Sequence, residues 1–173
     1  MKTAFAWFVN WKRFLLLAAF AVAAGAAYVW QSRPPAPDVA FVTLKGETVT
    51  MRELRGKVVY VNFWATSCAT CIKEMPDIVN MYTHYASRGF DLLAVAMYYD
   101  PPNYVAAYTA IHKLPFKVIL DTTGKIATAF GGVMATPTAL LIDKRGRILR
   151  RFVGEPDFAA LHSTIENELA SHD

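Results

Sequence analysis

At 173 residues the chain is about one domain long, and 54% of it is hydrophobic. The net charge of +4 comes wholly from Lys2, Lys12, Arg13 and Arg33, and residues 38–173 are neutral overall. That excludes a basic surface suited to nucleic acid. Two cysteines and four histidines without paired spacing also leave no complete ligand set for a structural zinc.

Residues 1–13 form a basic segment, expected to be cytoplasmic. Residues 14–30, FLLLAAFAVAAGAAYVW, carry no charge and would span about 25 Å as helix, against ~30 Å for a bilayer core. Trp7 and Trp11 precede the run and Tyr28 and Trp30 close it, as in an interfacial aromatic belt. The segment is expected to be an uncleaved transmembrane anchor, with a cleaved signal sequence as the alternative. Either way the positive-inside bias exports the C-terminal part of the chain. Residues 31–38 are a Pro-rich, semi-rigid linker, and 39–173 are the main domain.

Within that domain VAFVTL (39–44) reads as a strand and Lys45-Gly46 as a turn. Residues 48–57 predict one short helical turn. Thr50 and Glu53 stand at capping-box spacing, and Gly56 suits the left-handed stop. VVYVNFW (58–64) is a strand pattern buried on both faces. A helix is expected from about Ala69 to Ser87, with Ile72, Met75, Val79 and Tyr82 as its apolar stripe. Gly89 is its stop, and a kink is expected at Pro76. FDLLAVAMYY (90–99) is a second buried strand, succeeded by a helix from about Asn103. A short strand at 116–121 and a short helix at 125–130 come next. Residues 138–143 and 147–154 are strands joined by a tight turn, and 157–170 form a closing helix. Crossovers first and a hairpin last predict an α/β fold with a mixed sheet.

Cys68 and Cys71 stand at i and i+3 where the first helix of this domain begins. Free N–H groups and the positive helix dipole stabilise a thiolate there. Cys68 is expected to be exposed and to attack first, with Cys71 one turn deeper and attacking second. A structural staple is the alternative, but closing so short a loop removes little chain entropy.

LRGKVVYVNFWATSCATCIKEMP (54–76) and ATPTALLIDKRGRI (135–148) together resemble the TlpA/ResA-like membrane-tethered thiol–disulfide oxidoreductases of the thioredoxin superfamily. The similarity spans about residues 38–170. It implies a thioredoxin-like three-layer sandwich and a redox-active Cys68–Cys71 pair. It also implies a cis Pro137 beside the cysteines and a Thr136 whose backbone binds substrate, with Trp64 packed against the site. No cofactor or metal is implied. The implied partners are protein disulfides, such as apocytochrome c or an oxidase copper-site protein, and a membrane thiol-transporting reductant as electron donor. The implied place is the bacterial inner membrane, with the domain in the periplasm.

The chain departs from that group at Ser67, where a Trp commonly precedes the first cysteine, and at Ala69-Thr70 between the cysteines. Asn62 stands where thioredoxins keep a buried Asp, and an amide cannot take a proton. Asp100 and Glu74 are the candidate acid–base groups in its place. Reduction of protein disulfides is the expected activity. A peroxiredoxin-like peroxidase would need Thr and Pro three and seven residues before its cysteine, where Ala65 and Val61 precede Cys68. A copper chaperone would need wider cysteine spacing and a His near Thr136-Pro137.

Overall fold

A computed structural model describes residues 11, 13, 15–25 and 33–171. The chain divides into two compact units, 1–34 and 35–173. In the first, residues 15–25 are helical, with Leu16, Leu17, Phe20 and Val22 exposed. Among the described residues no helix is long and apolar enough to cross a membrane. Residues 14 and 26–30 of the expected anchor lie outside the described residues.

The second unit is built on a five-stranded sheet. Its strands in chain order are β3 (Val58–Trp64), β4 (Phe90–Ala96), β5 (Lys117–Leu120), β6 (Thr138–Ile142) and β7 (Ile148–Val153). The spatial order is β5-β4-β3-β6-β7. β3, β4 and β5 run parallel, whereas β6 and β7 are antiparallel to their neighbours, as crossovers and then a hairpin require. β3 and β4 are buried at every residue and feed two cores by strict alternation. Tyr60 and Trp64 enter one core, and Val59, Val61 and Phe63 enter the other.

Four helices cover the sheet: α1 (Ala69–Tyr85), α2 (Pro102–Ile111), α3 (Lys125–Ala129) and α4 (Phe158–Ala170). Met75 and Ile78 of α1, Val105 of α2, and Leu161 and Ile165 of α4 fill the first core. Ile126 and Ala127 of α3 lie in the second, with Phe41, Met51 and Leu54. The result is a three-layer, thioredoxin-like α/β fold.

Two local expectations need correction. Residues 48–57 are not a helical turn: β2 (Thr48–Thr50) pairs with β1 (Ala40–Val42), and turns succeed it. The capping-box bonds form nonetheless, Thr50 N–H to Glu53 Oε2 at 2.8 Å and Glu53 N–H to Thr50 Oγ1 at 3.3 Å. Gly56 does take a left-handed φ of 85°. The reciprocal pair here closes a turn after a strand, because a capping box satisfies local donors whether or not a helix continues. On α1 the buried ridge runs through Cys71, Glu74, Met75, Ile78, Met81 and Tyr85. Ile72, Val79 and Tyr82 flank it, partly buried. The helix continues unbroken across Pro76.

Candidate active site

The C-terminal edge of the parallel strands assembles the site. β3 ends at Trp64, and residues 65–67 lead to Cys68, the N-cap of α1. Thr138 pairs with Phe63, so Pro137 lies level with Trp64 at the same edge. The Thr136-Pro137 bond is cis.

Cys68 and Cys71 form a disulfide with their Cα atoms 5.2 Å apart. Cys68 is half-buried, Cys71 is fully buried, and Ser67, Ala69 and Thr70 are exposed. The Cys71 N–H donates to Cys68 Sγ at 3.1 Å, so a first-turn amide that helix geometry leaves free is aimed at this sulfur. Negative charge developing on Cys68 would be met there, at the positive helix end.

Thr136 is half-buried and Pro137 is buried. The Thr136 side chain shares a hydrogen bond with the Tyr99 hydroxyl at 3.2 Å. The Pro137 carbonyl accepts from Gly154 N–H at 2.8 Å. Trp64 is wholly buried, its ring 5.4 Å from that of Tyr108, so it floors the site from within the core.

The two candidate acids are placed very differently. Asp100, after β4, is buried. It accepts from Thr66 N–H at 2.6 Å and from the Thr66 hydroxyl at 2.5 Å, which ties the loop before Cys68 to the end of β4. Asp100 therefore positions the loop. Glu74 lies one turn beyond Cys71 on the same buried ridge and is 1% exposed. Neither of its carboxyl oxygens has a hydrogen-bond partner among the described residues. Burial, helped by the charges of Glu155 and Asp77, raises its pKa from 4.5 to about 7. Tyr60 and Asn62, both on β3, are also fully buried, with side-chain polar atoms unpartnered among the described residues. The Tyr60 phenol is raised in pKa by burial and by the nearby Glu74 charge.

The arrangement is a half-buried sulfur over a helix start, a buried second sulfur, and a buried carboxyl one turn further along the same helix. Comparison with known proteins agrees. The Redoxin family model matches residues 31–169. The chain belongs to the Redoxin family. Among its relatives, the thiol-disulfide oxidoreductase ResA of Bacillus thuringiensis subsp. konkukian is 33% identical over 121 residues, covering 69% of this chain and 68% of that protein. The ResA of Halalkalibacterium halodurans is 31% identical over 153 residues, covering 83% and 86%. A Neisseria meningitidis structure described as a thioredoxin is 39% identical with a TM-score of 0.76, over 81% of this chain and 93% of that one. A thiol:disulfide interchange protein of Chlorobium tepidum is 30% identical with a TM-score of 0.73, over 80% and 97%. This Redoxin protein is thus a ResA/TlpA-like member of the thioredoxin superfamily, and a thiol–disulfide oxidoreductase.

Tyr60 and Tyr99 are site neighbours that sequence reasoning passes over. Tyr60 reads as one more apolar strand residue, and only its buried, unpartnered hydroxyl distinguishes it. Tyr99 reads as the end of a strand, although β4 stops at Ala96.

Proposed function

We propose that this protein is a periplasmic reductase of protein disulfides, held at the inner membrane by its N-terminal segment. The observation that carries the reading is the division of the two sulfurs. Cys68 is half-buried and receives a helix-terminal N–H, and Cys71 is sealed behind it. In the reduced enzyme the Cys68 thiolate attacks one sulfur of a client disulfide and releases the other as a thiolate. The ionised Glu74 carboxylate takes the Cys71 thiol proton. The Cys71 thiolate then attacks Cys68 Sγ and releases the second client sulfur. Two electrons pass to the client, and the Cys68–Cys71 disulfide remains.

Apocytochrome c and oxidase copper-site proteins are the proposed clients, with a membrane thiol transporter resupplying electrons. The exposed apolar helix at 15–25 supports membrane tethering, and the basic residues ahead of it support export of the domain. Equilibration with glutathione buffers measures the potential. It is expected well below the roughly −120 mV of a strong periplasmic oxidant, and a value at or above that overturns the reductase direction. Replacing Cys71 with Ala traps clients on Cys68 and names them.

A further inference from the structure

On the same sheet edge as Cys68, in the layer opposite α1, Tyr98, Tyr99 and Met134 stand 61%, 45% and 92% exposed. They wall a depression of about 370 Å³ with Met97, Val133 and the hydroxyl-bearing Thr123 and Thr128, and among the described residues no charged side chain lines it. Exposed apolar groups gathered around a hollow are unusual on a soluble surface unless something docks there.

The hollow is preformed. The Asp121 carboxylate accepts from the N–H groups of Ile126 and Ala127 at 3.1 and 2.8 Å, which fixes α3 as one wall. The rings of Tyr98 and Tyr99 meet edge to face with centroids 5.4 Å apart. A Cβ at Gly124 would lie 3.5 Å from the Tyr98 ring, so the ring rests on the space that glycine leaves. The hollow also adjoins the cis-proline loop at the sheet edge that carries Cys68. The Tyr99 hydroxyl bonds to Thr136, and Met134 is two residues before Thr136, at most about 7 Å of chain away. Extended peptide rises about 3.3 Å per residue.

We propose that this hollow is a specificity pocket for the client polypeptide. It takes a large apolar side chain within a few residues of the client cysteine that bonds to Cys68. The occupant is apolar because thioether, aromatic ring and aliphatic carbon make up more of the wall than the hydroxyls of Thr123, Thr128 and the tyrosines, and among the described residues no charge lines it. It is part of the client because the pocket adjoins Thr136, at the same sheet edge as Cys68. The inference rests on Cys68 being the attacking thiol.

The test uses the full chain with Cys71→Ala. The probes are short peptides whose single cysteine is a mixed disulfide with 5-thio-2-nitrobenzoate. Cys68 attacks the peptide sulfur, a Cys68–peptide disulfide forms, and the coloured aromatic thiolate leaves, so absorbance gives the rate constant. Phe, Leu, Ser or Lys is placed two or three residues to either side of the cysteine. Phe or Leu at one of these positions should react about tenfold faster than Ser, with Lys slowest. Met134→Lys and Tyr98→Ser should bring that ratio near one. Met134 is almost fully exposed, so its substitution leaves the core intact. A flat series, or a ratio unchanged in both variants, overturns the pocket. A concentration-dependent dimer that Met134→Lys abolishes would give the face to a second copy and also overturn it. If no probe releases thiolate, Cys68 is not the attacking group, and the functional reading falls first.

Discussion

Glu74→Gln tests the central electrostatic feature of the site. In the folded oxidised protein Glu74 is 1% exposed, has no hydrogen-bond partner among the described residues, and holds its proton to about pH 7 rather than 4.5. The unfolded chain releases that proton near pH 4.5. Between these values the native state binds more protons than the unfolded state, so this group makes stability fall as pH rises. Its contribution is fully present below about pH 4.5 and is lost by the time pH has passed 7. Raising the group from 4.5 to about 7 corresponds to about 3 kcal/mol. Gln keeps the shape and cannot ionise. The variant should therefore gain about 3 kcal/mol on wild type between about pH 4.5 and about pH 8. Urea unfolding of both proteins, with the disulfide intact so that no thiol titrates, measures the difference. All other titrating groups cancel in that difference. Parallel pH profiles for the two proteins would refute the reasoning, because a solvated Glu74 would give no such slope.

The same substitution should slow release of a client from the Cys68 mixed disulfide by about 100-fold or more near pH 7, read by stopped-flow, because Cys71 loses its proton acceptor. Asp100→Ala removes both acceptors of Thr66 and should cost about 1–3 kcal/mol in urea unfolding, with Asn restoring most of it. Lys117→Met should cost about 1–3 kcal/mol by the same measurement. Asp91 is buried, accepts from Lys117 Nζ at 2.8 Å with both oxygens, and would keep Lys57 at 3.2 Å as its charged partner and the Leu92 N–H at 2.9 Å.

Much of the architecture is legible because burial on both faces leaves a plain mark. VVYVNFW and FDLLAVA cannot alternate with polar residues when each faces two cores, and both form the expected strands, β3 and β4. The final hairpin is legible from Asp143 to Gly146, and Asp143 Oδ1 does accept from Arg145 and Arg147 N–H at 3.0 and 2.8 Å. β2 is not legible. Three residues carry little periodicity, and the Thr50–Glu53 pair serves a turn as readily as a helix. The stripe on α1 is legible in part: Met75 is buried and Ile72, Val79 and Tyr82 pack against the core, but the fully buried ridge includes Glu74, and a charged residue on a helix normally reads as solvated.

The buried Glu74 bears on the chemistry. Sequence alone makes Asp100 and Glu74 equivalent candidates. Packing separates them: both Asp100 oxygens are committed to Thr66, whereas both Glu74 oxygens lack a hydrogen-bond partner among the described residues, one turn along the helix from Cys71. A carboxylate with two donors is an anchor. A buried carboxyl with none has its proton affinity set by desolvation, which here places it near neutrality, where a thiol's proton must be exchanged. With Asn62 unable to titrate, the proposed mechanism gives the proton-handling role to the helix instead of the strand. It stays on the same buried ridge of α1 as the second sulfur. In the proposed mechanism the site keeps its chemistry while changing which element supplies it, and the burial of Glu74 is what distinguishes it from Asp100.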